Sequence, residues 1–228
     1  MNRSLTEGSI TKTMLLFSVP MIVGDLLQQF YNMADTFIVG RFVGSSALAA
    51  VGSAYALMIF LTSIIIGLSM GSSALFSICF GQKNMDKLRN CIFVAFLIIG
   101  AATVVLNILA FLFIDHILIF LKTPSEIYDM MRSYVFIIFT GLCATFFYNF
   151  FASLLRSIGN SFIPLVFLAV SAVLNIVLDL LFVVKFNWSV EGAAIATVIS
   201  QYVSGIGITF YTLVYFPELR VRKSNMYI

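Results

Sequence analysis

Charge is scarce in this sequence. Only 10% of its 228 residues are Asp, Glu, Lys or Arg, against 61% hydrophobic ones. A water-soluble domain carries roughly 25% charged residues, so a soluble globular surface cannot be built from this chain. Cysteine is also sparse. Cys79, Cys91 and Cys143 lie within or beside apolar stretches and show no CxxC spacing, so they indicate neither a disulfide framework nor a zinc site. There is one histidine, His116, at the start of a short apolar segment, where a solvated or interfacial role fits better than a proton relay. No HExxH, no GxSxG and no paired catalytic Asp occurs, so the chain does not read as an enzyme. The net charge is a small +3. The bases stand between apolar blocks and form no patch for nucleic acid.

What the sequence has is length of hydrophobic run. A run of about twenty apolar residues spans a bilayer core of roughly 30 Å. Six such blocks occur: residues 14–39, 47–80, 91–114, 128–155, 162–184 and 192–216. They predict an all-α integral membrane protein of six transmembrane helices, with the lipid bilayer as its solvent and no room for a soluble domain. The first block is too long for a signal peptide and carries acids and amides, so it reads as a retained helix. The joints have breaker or charged chemistry: Gly44-Ser45-Ser46, Gly81 to Asn84, Lys122 to Ser125, Gly159-Asn160-Ser161 and Asn187-Trp188-Ser189. The apolar run Ile117 to Leu121 is too short to span and is expected at the outer interface, led by Asp115 and His116.

Lys and Arg set the orientation. One side of the blocks holds Arg3, Lys12, Lys83, Lys87, Arg89, Arg156, Arg220, Arg222 and Lys223; the other holds Arg41, Lys122 and Lys185. The excess places both termini in the cytoplasm of a multi-pass protein of the cell (plasma or inner) membrane, and the even helix count agrees.

In so apolar a chain the polar exceptions carry the function, because an ionisable group at a helix centre costs roughly 2.5–3.5 kcal/mol on insertion scales. Asp25, Gln28, Gln29, Asn32, Asp35 and Thr36 of the first block fall within a sector of roughly 120° at helical pitch. That stripe suits a water-lined path, with Gln28 and Asn32 lining a cavity and Asp35 the leading candidate for a cation. In the fifth block Asn175 and Asp179 stand four residues apart among apolar neighbours, hence on one face. An acid so placed must bind a cation, pair with a base or keep its proton. Sodium would use several oxygens of this group, whereas proton coupling would use the Asp alone. Asn149, Ser153 and Arg156 share a face of the fourth block, Arg156 reading as a topology anchor; Thr197 of the sixth can offer a hydroxyl to a cation. Small residues, Gly67, Gly71, Ser72 and Ser73 in the second block and Gly192 to Ala194 with Ala196 in the sixth, predict close helix packing. Pro20 and Pro164 predict kinks.

The run Pro20 to Arg41, PMIVGDLLQQFYNMADTFIVGR, resembles the first helix of the MATE (multidrug and toxic compound extrusion) exporters. Leu154 to Pro164, LLRSIGNSFIP, is similar to that family's joint between helices four and five. Val173 to Val183, VLNIVLDLLFV, is similar to helix five, and Glu191 to Gln201, EGAAIATVISQ, to the start of helix six. The four segments occur in family order and cover essentially the whole chain. The resemblance implies a twelve-helix fold of two six-helix lobes, with this chain, residues 1–228, as the amino-terminal lobe and the second lobe absent. It implies antiport of amphiphilic organic cations against sodium ions or protons by alternating access, with no cofactor beyond the coupling ion. It places the cation site, a sodium site if sodium is the coupling ion, at Asp35, Asn175, Asp179 and Thr197, and it places Asn149 on the cavity wall. A partner lobe is then required, from the same gene product or from a second copy. The chain stops where the connection to that lobe would begin, as half of a longer product, a shortened form, or a natural half-transporter that pairs.

Two other functions are weighed. A lipid-linked saccharide flippase of the related superfamily would need bases within the cavity to hold pyrophosphate, and this chain has acids there. A non-transporting half-transporter would not need to keep acids at such costly positions.

Overall fold

The structure, a computed structural model, describes residues 10–221. Arg3, Arg222 and Lys223 of the topology count lie outside the described residues. Eight α-helices are found among them: α1 Ile10–Phe42, α2 Ser45–Gly81, α3 Met85–Leu112, α4 Ile114–Phe120, α5 Tyr128–Phe139, α6 Leu142–Ser157, α7 Phe162–Asp179 and α8 Ser189–Tyr215. A π turn, Leu180–Lys185, continues α7, and a 3-10 turn, Pro217–Leu219, follows α8. No strand occurs among the described residues. By length and composition α1, α2, α3, α7 with its π turn, and α8 can each cross a membrane, and the bent pair α5–α6 brings the count to six when taken as one span. The fold is the all-helical membrane bundle that the hydropathy blocks predict.

The joints form where the sequence punctuates it. Gly44 sits at φ 121° between α1 and α2, a conformation an L side chain resists. Asn84 caps α3, its side chain accepting from the Lys87 backbone N–H at 3.0 Å, which satisfies one donor of the first turn. The Asn160 side chain accepts from the Ile163 N–H at 3.2 Å. The Ser161 hydroxyl donates to the Phe17 carbonyl at 3.0 Å and ties the α6–α7 joint to the start of α1. Arg89 Nε donates to the Glu218 carbonyl at 2.8 Å and ties the start of α3 to the turn after α8. The described bases Lys12, Lys83, Lys87, Arg89, Arg156 and Arg220 thus belong to one end of the bundle.

The fourth span departs from the single uninterrupted block predicted for it. It bends by 45° between α5 and α6, at Thr140-Gly141. The carbonyls freed by the bend are met by side chains from other helices: Asn107 of α3 donates to Phe139 O at 2.6 Å, and Tyr202 of α8 donates to Thr140 O at 2.8 Å. Broken backbone at membrane depth is tolerated only when such partners exist. Gly141 lets α8 approach, for a Cβ there would stand 2.5 Å from Gln201 Oε1.

Two packing expectations are corrected. Pro164 is the third residue of α7, in the first turn where no intrahelical N–H bond is lost, so it does not kink the span. Pro20 lies inside α1, which runs through it unbroken from Ile10 to Phe42. Gly67 and Gly71 of α2 face open space, and Ser72 and Ser73 bond back to their own helix. Close approach occurs at Gly192, as predicted, packed on Phe182, and also at Gly205, whose Cβ would meet the Ala144 carbonyl at 2.7 Å. These contacts make α8 the central post, with 44% of its most apolar window buried against 6% for α1. The outward faces are apolar, as lipid demands: Phe30, Phe60, Leu112 and Phe210 are all exposed.

Candidate cation site and cavity

Three helices bring their polar residues to one point. Asp35 of α1 is 8% exposed, and Asn175 and Asp179 of α7 are fully buried. Thr197 of α8 lies between them, its hydroxyl oxygen accepting from Asn175 Nδ2 at 3.2 Å and from the Tyr31 hydroxyl at 3.3 Å. By taking the amide hydrogens, Thr197 turns Asn175 so that its Oδ1 is left over. Asn175 Oδ1, Asp35 Oδ1 and both carboxylate oxygens of Asp179 are buried without a hydrogen-bond partner among the described residues. The two carboxyls thus share one buried cluster.

Two carboxylates that close cannot both stay charged and bare in a low-dielectric interior. Either protonation or a bound cation can relieve them. A hard monovalent cation finds carboxylate, amide and hydroxyl oxygens there, the ligand type it prefers. No group of three or more His, Cys, Asp or Glu that could hold a metal ion occurs among the described residues. The helix widens into the π turn directly after Asp179, where Phe186 N–H reaches back to Leu181 O at 3.0 Å. Such wide turns recur at functional sites.

Beside the cluster opens a cavity of about 900 Å³ walled by α1, α2, α5 and α8. Gln28, Asn32, Asp35 and Thr36 of the α1 stripe line it, as do Thr197 and Gln201 of α8. Tyr31, Tyr55 and Tyr134 supply aromatic wall, and Arg41, the base of the lining, stands at the end of α1 away from Arg89. A cavity with an acid at its base and rings on its sides suits a flat organic cation.

The structure divides the predicted residues. Asp35, Asn175, Asp179 and Thr197 come together, and Gln28 and Asn32 line the cavity. Asn149 does not line it: its amide donates to the Thr145 carbonyl one turn back at 2.8 Å, because a helical amide finds its own backbone nearer than any neighbour. Asp25 and Gln29 share the α1 sector but are exposed outside the cavity. Arg156 is half-buried, and its Nε finds no partner among the described residues. Tyr31 was not singled out from the sequence. Its place one turn before Asp35 was the available signal, masked by a chain rich in aromatics.

Comparisons with known proteins point one way. The MatE family profile matches residues 20–181. The probable multidrug resistance protein YpnP of Bacillus subtilis (strain 168) is 29% identical over 208 residues, covering 91% of this chain and 47% of the relative. The probable multidrug resistance protein YoeA of the same organism is 32% identical over 210 residues, covering 90% of this chain and 45% of the relative. A crystal structure of MATE in the bent conformation superposes with a TM-score of 0.90 at 24% identity, over 97% of this chain and 49% of that one. At that identity the likeness speaks to the fold alone. The chain spans about half the length of the curated relatives it matches.

Proposed function

The chain belongs to the MatE family, and on that premise we propose that it forms the amino-terminal lobe of a cation-coupled exporter of amphiphilic organic cations. The observation that carries this reading is the set of buried, donor-less oxygens on Asp35, Asn175 and Asp179 beside the cavity. Left bare, these groups destabilise the bundle; a coupling ion, sodium or a proton, relieves them. The substrate cation is drawn to the same Asp35 carboxylate from the cavity side. One carboxylate serving two cations makes their occupancies compete, and competition of this kind is what exchange requires.

The second wall of the cavity comes from another six-helix lobe, in the same polypeptide or in a second copy, and access alternates as the two lobes rock about the site. The excess of bases at the end holding Lys83, Arg89 and Arg220 supports an orientation with both termini in the cytoplasm of the cell membrane. The flippase alternative finds no support in the cavity, where Arg41 is the single base of the lining.

The test is isothermal titration of the purified chain with sodium chloride, and with acid in its absence, for wild type, Asp35→Asn and Asp179→Asn. Sodium heat lost in both variants supports sodium coupling at this site. A pH transition lost in both, without a sodium response, supports proton coupling. A wild type that responds to neither sinks the assignment of these residues.

A further inference from the structure

A second hollow lies far from the cation cluster. Helices α3 and α8 both pack on α6 but scarcely touch each other. The crevice between them, of about 520 Å³, reaches the end of the bundle that holds Arg89. Its floor is aromatic: Phe96 of α3 and Phe147, Phe150 and Phe151 of α6 pack ring to ring at centroid distances of 5.3–6.4 Å in neighbouring pairs. The polar groups along its α8 side make no demand on a ligand. Thr209 and Thr212 donate to Gly205 O and Ile208 O of their own helix, both at 2.7 Å. The crevice therefore has nothing for water, and rings facing an empty volume forfeit dispersion contacts.

The end of the crevice is built. Phe216 and Leu219, flanking Pro217 and Glu218 in the turn after α8, are buried and line that end. Arg89 holds that turn. It is itself only 8% exposed, donates to Glu218 O at 2.8 Å, and is neutralised by Asp86 at 3.1 Å. Arg220, exposed, stands at the mouth with its Nε on Leu213 O at 2.6 Å. At this end of the bundle lie Lys83, Lys87, Arg89 and Arg220 with two acids, Asp86 and Glu218, and Asp86 is paired with Arg89. Arg222 and Lys223 follow in sequence.

We propose that this crevice is a binding site for an anionic phospholipid, one acyl chain lying on the Phe96–Phe150 floor and the phosphate of the head group held at Arg220. An apolar slot between membrane helices, capped by a cationic rim, matches such a molecule in both its parts. The site shares no residue with the cation cluster, so the proposal stands apart from the transport reading and is tested without transport.

The measurement is thermal unfolding of the delipidated, detergent-purified chain with added dioleoyl phosphatidylglycerol, dioleoyl phosphatidylcholine or glycerol phosphate. Phosphatidylglycerol is expected to raise the Tm of wild type by about 5 °C, phosphatidylcholine much less, and glycerol phosphate not at all. Arg220→Gln is expected to lose the preference for the anionic lipid, and Arg220→Lys to keep most of it. Thr209→Trp, which fills the slot, is expected to lose the response while raising the Tm of the lipid-free chain. Equal responses to the two lipids, or an undiminished preference in Arg220→Gln, overturn the proposal in favour of a non-selective lipid coat. A full response to glycerol phosphate overturns it in favour of a bare phosphate site.

Discussion

Beside the cavity walled by α1, four carboxylate and amide oxygens of Asp35, Asn175 and Asp179 have no donor among the described residues. In the crevice between α3 and α8 the threonines spend their hydroxyls on their own backbone. The two hollows are within a factor of two in volume, about 900 and 520 Å³, so size does not tell them apart. The state of the polar atoms does. An unsatisfied oxygen in a low-dielectric bundle is costly enough to be kept only for a ligand that relieves it, whereas a satisfied wall accepts any apolar filler. Removing those oxygens should therefore abolish the distinction between the hollows, and the largest effect belongs to the deepest of them. Asp179→Asn is expected to reduce ion-coupled export to background in a complete transporter carrying this lobe, with folding retained by circular dichroism. Export at the wild-type rate would show that the buried acid is structural.

The sharpest comparison uses one chemical change in two places. Thr197→Val strands the Asn175 amide and the Tyr31 hydroxyl, and each buried donor so stranded costs about 1–3 kcal/mol. Thr212→Val, at a residue equally buried, removes a hydroxyl that serves only the carbonyl of Ile208 and is expected to cost under ~1 kcal/mol. Unfolding both variants in a denaturing detergent reads the difference directly, and equal costs would erase the contrast between the two walls. A smaller effect is expected at the bend of the fourth span. Tyr202→Phe leaves the Thr140 carbonyl without its side-chain donor, at a cost of about 1 kcal/mol, and hydrogen exchange should quicken around Gly141.

The smallest effect belongs outside the membrane core. Asp115 of α4 accepts from Arg132 Nε at 2.7 Å and from the Tyr128 hydroxyl at 3.0 Å. The Arg132 hydrogen bond first, then that of Tyr128, hold its carboxyl below the usual range. A carboxyl lowered in the folded state stabilises above its ordinary pKa of about 3.9 and loses that contribution as the pH falls through the lowered value. Asp115→Asn is expected to flatten the acid limb of a pH–stability curve and leave neutral pH almost unchanged, as exposed pairs do.

The apolar blocks, the joints at Gly44 and Asn84 and the short apolar segment led by Asp115 were legible in the sequence, because hydropathy and turn chemistry are local. The bend at Thr140-Gly141 was not. Hydropathy runs through it, and its cause lies in Asn107 and Tyr202, far along the chain. The π turn after Asp179 leaves no local mark either. Within the candidate site the acids and Asn175 announced themselves by their cost in an apolar run. Tyr31 did not, since a tyrosine there looks like one more ring of the packing. Asn149 misled in the other direction, because spacing cannot tell an amide that reaches a cavity from one that turns to the carbonyl behind it. The glycines of α2 misled for a like reason: a small residue permits close approach, but only a neighbour's arrival uses it.

The turn from Leu180 to Lys185 carries a consequence for the gene. A π turn is an α-helix that has absorbed one additional residue while the helix before it and the joint after it keep their places. A codon lost within this stretch would tighten the winding and leave Asp179 on its face, whereas a codon lost upstream, between Asn175 and Asp179, would swing the acid a quarter-turn and more away from Thr197. Related lineages should therefore vary in length below the acid and hold strictly to register above it.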